Sequence, residues 1–165
     1  MGHRTLPPGL DILPVDDRCV PLEHEFSNVG LFQAALGTYR ARPLFDERRG
    51  IGGSVTALRE AIGFGQDCPR FTILGLGPDG HTASLFPGSA DLPTGLDACA
   101  PAFIAAQPTL EPMVPRITMT APFILAAWDA SGRAPEAYAA GTMGPAKADL
   151  MLGLGGHRWH EEARA

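Results

Sequence analysis

Asp79 and His81 stand two residues apart in Leu74-Gly75-Leu76-Gly77-Pro78-Asp79-Gly80-His81-Thr82-Ala83-Ser84-Leu85-Phe86-Pro87-Gly88, close enough for the acid to orient the imidazole. An apolar run at residues 71–74 leads in and reads as a buried strand, being short, β-prone and stopped by Gly75. Gly75, Gly77 and Gly80 allow a sharp turn and leave space beside the backbone for a ligand. Residues 82–86 are expected to start a helix, which would set free N–H groups beside the imidazole. Strand, glycine turn, acid, histidine and helix start together describe a catalytic loop at the C-terminal edge of a parallel sheet.

Two blander readings compete. A lone histidine after a glycine turn is often structural. Gly75-x-Gly77-x-x-Gly80 also fits a dinucleotide fingerprint. That fingerprint needs a long helix, a second strand and an acid about 20 residues on. Here Pro87-Gly88 ends any helix early, and Asp97 follows Pro93-Thr94-Gly95 rather than a strand.

The same stretch, Gly75-x-Gly77-x-Asp79-Gly80-His81-x-Ala83-Ser84-Leu85-Phe86-Pro87-Gly88, resembles the signature of the 6-phosphogluconolactonases. The related glucosamine-6-phosphate deaminases share the Asp-Gly-His core but usually continue with an Asn-Glu-Pro type sequence. Ser84-Leu85-Phe86-Pro87 sides with the lactonases. Two further segments occur in family order. Val15-Asp16-Asp17-Arg18-Cys19-Val20-Pro21, followed by Ser27-Asn28, resembles an Asp-Glu-Arg-x-Val-Pro segment followed by Ser-Asn. Asp17 replaces the usual Glu and keeps its charge, whereas Cys19 replaces a packing ring. Arg116-Ile117-Thr118-Met119-Thr120-Ala121-Pro122 resembles an Arg-Ile-Thr-Leu-Thr-x-Pro segment, in which Arg116 is as apt to anchor structure as to touch ligand. A strand, a glycine and a lysine come next in the family, and Gly141 and Lys147 stand where these are expected.

The resemblance implies a Rossmann-like three-layer α/β fold with a mainly parallel sheet. It also implies hydrolysis of 6-phosphogluconolactone to 6-phosphogluconate, a step of the pentose phosphate pathway, without metal or organic cofactor. His81 would be the general base that activates water, and Asp79 would hold its tautomer. Arg18 and Lys147 would grip the phosphate, with Gly77, Gly80, Asn28 and Arg116 lining the substrate. Family members begin with a strand-helix-strand unit carrying a Ser-Gly-Gly-Ser-Thr-Pro-like phosphate loop. This chain starts just before the second motif, so it is expected to be an incomplete single domain over residues 1–165, with residues 153–165 an irregular tail. Self-association through an uncovered sheet edge is expected to follow. A non-catalytic phosphosugar-binding fragment and an aminosugar-6-phosphate isomerase or deaminase are the alternative functions.

The remaining elements must position these groups. Residues 10–15 are apolar enough for a strand, with Pro14 at its edge or end, and Arg18 would close a strand and could fork onto a phosphate. The plainer reading pairs Arg18 with Asp16 or Asp17. Ser27 suits an N-cap for a helix over residues 28–36, with Leu31, Phe32, Ala35 and Leu36 on one face and Gly37 as its stop. Residues 40–50 read as a solvated loop, and Ser54 as the cap of a helix burying Val55, Leu58 and Ile62. Gly52-Gly53-Ser54-Val55 suggests a phosphate loop, but no strand precedes it. Residues 90–100 read as loop. Strands are expected at 102–106 and 116–120, Ile117 and Met119 alternating with threonines, then a helix from Pro122 and a weak strand at 136–140.

At 165 residues one domain can bury a real core. An apolar content of 45% and a charged content of 19% are globular values, and 20 glycines with 16 prolines predict short elements and many turns. A net charge of −5 argues against a nucleic-acid partner and requires locally placed Arg or Lys for an anionic substrate. Cys19, Cys68 and Cys99 form no Cys-x-x-Cys pair, which fits a reducing cytoplasm and neither zinc nor a disulfide framework. No apolar run approaches a membrane span or a signal-peptide core. His157 and His160 have no third metal ligand nearby in sequence.

Overall fold

Short β-prone runs broken by proline and glycine give seven short strands and four helices among the described residues. The computed structural model describes residues 11–36, 40–62, 72–126 and 138–139. In chain order the elements are β1 (Asp11–Ile12), β2 (Asp16–Arg18), α1 (Asn28–Leu36), β3 (Arg40–Ala41), α2 (Gly50–Ala61) and β4 (Ile73–Leu74). They continue with α3 (Leu92–Leu96), β5 (Phe103–Ala106), β6 (Arg116–Met119), α4 (Ala121–Leu125) and β7 (Tyr138–Ala139).

The strands pair in three groups: β1 with β3 in parallel, β4 with β7 in parallel, and a three-stranded antiparallel sheet in the order β2-β6-β5. The mainly parallel sheet is therefore not what the described ladders form by themselves, since two pairs run parallel and two antiparallel. The expectation came from the family resemblance and from the strand-turn order around Gly75, neither of which specifies how β2, β5 and β6 meet. Residues 107–115 turn the chain back so that β6 runs antiparallel to β5, with Phe103 opposite Met119 and Ala106 opposite Arg116. β2 then adds to the other edge of β6, placing Asp16 opposite Thr118, Asp17 opposite Ile117 and Arg18 opposite Arg116.

The core is assembled from α2, β5, β6 and α4. Leu44, Val55, Leu58, Ile62, Leu74, Phe103, Ile117, Met119, Phe123 and Ile124 form one buried cluster. The expected stripe of Val55, Leu58 and Ile62 is buried, and Arg59 on α2 donates from Nε to the Phe103 carbonyl of β5 at 2.8 Å. Pro122 sits in the first turn of α4, where its missing N–H leaves no vacancy in the helix ladder.

Four local expectations are corrected. Leu31 on α1 is 64% exposed, and the helix buries Val29 instead. Apolar residues lie all round this helix, so spacing could not choose a face. α2 begins at Gly50, which leaves Ser54 inside the helix rather than at its cap. Its hydroxyl donates to the Gly50 carbonyl and accepts from the Asp46 N–H. Residues 40–50 are not wholly solvated, because Arg40–Ala41 is β3 and Leu44 enters the core. Within 90–100, Leu92–Leu96 forms the short helix α3. Gly37, Gly63, Cys68, Gly141, Lys147 and residues 153–165, with His157 and His160, lie outside the described residues.

Candidate active site

The turn after β4 is written locally. Gly80 donates its N–H to the Gly77 carbonyl at 3.0 Å, making a β-turn with Pro78 second and Gly80 last. Gly80 has φ of +91°, a conformation that favours glycine. The Gly77 N–H then bonds the His81 carbonyl at 2.8 Å and closes the loop.

That closure brings the two expected catalytic side chains together. His81 Nδ1 lies 2.5 Å from Asp79 Oδ1, and the His81 N–H reaches the same oxygen at 3.3 Å. An ionised carboxylate can only accept, so Nδ1 carries the proton, and in the neutral imidazole the lone pair is then on Nε2. Partial burial raises the Asp79 carboxyl, but the hydrogen bonds and charge of His81 outweigh it and hold the group below its ordinary value of 3.8. Gly77 is essential to the packing: a Cβ there would strike the His81 ring and lie 2.7 Å from Asp79 Oδ1.

The expected helix start at 82–86 is not formed. Ala83 has φ of +48°, and Thr82 pairs with Leu85 as an isolated antiparallel bridge. The Ser84 N–H is taken by Thr118 Oγ1 of β6 at 3.0 Å instead of pointing along a helix axis. This reversal turns Phe86 inward, 1% exposed, with its ring centroid 4.6 Å from that of His81. Arg116 stacks its guanidinium on the same Phe86 ring at 5.0 Å.

Arg116 and Arg18 face each other directly across the β2–β6 ladder. Like charges in that position repel. Burial lowers the Arg116 pKa, as does the charge of Arg18, while Asp16 and Asp17 act in the opposite sense. Among the described residues, both Nε atoms are buried and unpartnered. Arg18 does not pair with Asp16 or Asp17: its Nη1 donates to Asn28 Oδ1 at 2.6 Å. Asn28 in turn donates Nδ2–H to the Asp16 carbonyl at 2.8 Å. The loop and the β2–β6 ladder thus bring six of the expected residues into one region: Asp79, His81, Gly77, Gly80, Arg116 and Arg18, with Asn28 supporting the last.

Residues that spacing alone did not single out complete the site. Asp17 lies on the opposite face of β2 and receives the first N–H groups of α1, from Asn28 at 2.7 Å and Val29 at 3.2 Å. Burial, opposed by these backbone bonds, raises the Asp17 carboxyl above its ordinary value. Ser27 adds the expected cap, its Oγ accepting from the Gly30 N–H at 3.0 Å. Asp16, Ser84 and Thr118 pin the loop to the sheet, with Ser84 Oγ donating to Asp16 Oδ2 at 2.6 Å. Period-two alternation along β2 was the available signal for Asp16, because it shares a face with Arg18. Burial and the Asp17 charge push the Cys19 thiol up to about 11, which leaves it un-ionised at neutral pH. An open cleft of about 660 Å³ beside Val20, Phe45, Arg49 and Leu58 contains none of the site residues. Among the described residues no cluster of three or more His, Cys, Asp or Glu side chains could hold a metal, and no helix is long and apolar enough to cross a membrane.

The family model for glucosamine-6-phosphate isomerases/6-phosphogluconolactonase matches residues 8–131. This chain belongs to that family. It is 37% identical over 112 residues to a 6-phosphogluconolactonase of Pseudomonas putida, covering 64% of this chain and 45% of that relative. It is 35% identical over 113 residues to the 6-phosphogluconolactonase of Caulobacter vibrioides, covering 64% and 48%. Among solved structures, a 6-phosphogluconolactonase from Shewanella baltica OS155 superposes with a TM-score of 0.57 at 29% identity, over 70% of this chain and 51% of that one. The α/β fold of the family is therefore shared, and the chain spans about half the length of the curated relatives it matches.

Proposed function

We propose that the chain acts on 6-phosphogluconolactone, with His81 as general base and the Arg18–Arg116 pair as part of the phosphate grip. The observation that carries this reading is the Asp79–His81 pair at 2.5 Å, one phenyl ring away from Arg116, which faces Arg18 across the ladder, both with Nε atoms unpartnered among the described residues. His81 Nε2 takes a proton from water as the water oxygen bonds to the lactone carbonyl carbon. The bond from that carbon to the ring oxygen then breaks, and the imidazolium returns its proton to the departing alkoxide. The product is the open-chain acid. Asp79 keeps the imidazole in the competent tautomer and steadies its positive charge between the two steps. Arg18 and Arg116 hold the phosphate dianion, together with Lys147, and convert binding energy into alignment of the ring. In the whole protein we take these elements to belong to a Rossmann-like, mainly parallel sheet acting in the cytoplasm, and self-association through a sheet edge is part of the same reading.

His81→Asn tests the assignment. General-base removal costs about 10²–10⁴-fold. Lactones also open spontaneously, so the rate is compared with buffer alone. A variant keeping more than about a third of the parent's excess rate would refute the role.

The second reading is a module that binds phosphosugars without turning them over. Binding of 6-phosphogluconate with no lactone hydrolysis above the blank would select it. Turnover of glucosamine 6-phosphate in preference to the lactone would select the isomerase or deaminase branch instead, against which Leu85-Phe86 stands at the usual Asn-Glu positions.

A further inference from the structure

Asp16 and Arg116 are diagonal neighbours across β2 and β6, since Asp16 faces Thr118 and Arg18 faces Arg116. An aspartate beside a buried arginine ordinarily closes a short, often bidentate, ion pair. Here it does not. Arg116 Nη1 stays 3.9 Å from Asp16 Oδ2, outside hydrogen-bond reach, and Arg116 Nε has no partner among the described residues. The oxygen that would make the pair, Oδ2, accepts the Ser84 hydroxyl at 2.6 Å. Ser84 cannot follow the carboxylate: it is 1% exposed, its N–H is held by Thr118 Oγ1, and the left-handed Ala83 precedes it.

We propose that Ser84 is a positioning residue that holds the Asp16 carboxylate away from Arg116, keeping the arginine pair open to a phosphate monoester. Three other contacts have the same consequence. Arg18 is steadied by a neutral amide, Asn28 Oδ1, which fixes the guanidinium without cancelling its charge. Arg116 rests on the Phe86 ring, with no anion within hydrogen-bond reach among the described residues. Asp17, the other carboxylate nearby, points to the opposite face and is committed to the N–H groups of α1. Loss of the Ser84 hydroxyl leaves a part-buried carboxylate oxygen without that partner, and a shift of about 1 Å carries it onto Arg116. The chain's own aspartate then occupies the site meant for the phosphate. This rests on the proposed role of the arginine pair.

The test uses the full chain and the Nε–H resonance of Arg116, assigned by Arg116→Lys, titrated with inorganic phosphate and separately with 6-phosphogluconate. In the parent that resonance should move saturably with either anion. Ser84→Ala should weaken both titrations about tenfold or more, on the scale of one hydrogen bond to a charged group. Adding Asp16→Asn to Ser84→Ala should restore affinity to within about threefold of the parent, because an amide does not compete as an anion. A purely structural Ser84 would give no such rescue. Unchanged affinity in Ser84→Ala, or no recovery in the double variant, overturns the proposal while leaving the arginine site intact. Should Ser84→Ala fail to fold, Asp16→Asn alone decides: equal or tighter phosphate binding is expected, and a tenfold loss overturns the proposal. A parent resonance indifferent to both anions overturns the arginine site itself, and this inference with it.

Discussion

Gly77→Ala is the sharpest perturbation of the site, because it adds one methyl group and removes nothing. Gly77 is not among the positive-φ glycines of the described residues, Gly50, Gly80 and Gly88, so alanine meets no left-handed backbone penalty there. The new Cβ would strike His81 Cε1 and Nδ1 and approach Asp79 Oδ1 to 2.7 Å. Ordinary contact requires the imidazole to retreat by about 1 Å, and a displacement of that size costs roughly 10²-fold in rate. Because the ring already leans on buried Phe86, retreat also separates Nδ1 from Asp79 and loses the tautomer control. Stability should fall modestly, because overpacking of about 1–3 kcal/mol and the lost His81–Asp79 bond outweigh the roughly 0.4–1 kcal/mol gained by restricting the unfolded chain. Lactone hydrolysis above the buffer rate, thermal unfolding and the low-field Nδ1–H resonance of His81 would be measured together. A variant with turnover within about threefold of the parent and an unchanged Nδ1–H signal would refute the packing argument. A variant that lost its cooperative transition would show Gly77 to be needed for folding rather than for the pair.

Two further predictions follow from the carboxylates. Asp17→Ala should destabilise the protein by about 1–2 kcal/mol through loss of the α1 cap, more than a surface Asp→Ala such as Asp97, as read by urea unfolding. A smaller loss would mean that Ser27 caps the helix adequately alone. The Asp79 carboxyl is depressed in the folded state, so its contribution to stability is complete above its ordinary value of 3.8 and disappears as pH falls through the lower folded value. The unfolding free energies of the parent and of Asp79→Asn should therefore converge as pH falls below 3.8 through the lower folded value; a gap that persisted unchanged there would contradict the His81–Asp79 bond.

What could be read in the chain was whatever short-range chemistry dictates. Pro78 and Gly80 write the turn that pairs Asp79 with His81, since a β-turn depends on four consecutive residues. Ser27 announces the start of α1 for the same reason, and the alternation of Ile117 and Met119 announces β6. The three motifs in order carried the family. Long-range geometry was not readable. Nothing near residue 83 announces a left-handed alanine. Ser84 is drawn out of a helix by Thr118, 34 residues away, and by Asp16, 68 residues away. The face read for α1, through Leu31, was the wrong one because apolar residues surround the helix, and the Asp17 carboxylate that anchors its first turn comes from β2. Neighbours along the chain fix the Asp79–His81 turn, the Ser27 cap and the strand β6. Tertiary structure alone decided that Arg18 would face Arg116 and that Asp16 would answer to Ser84, because both follow from the antiparallel register of β2 on β6, which no local preference specifies.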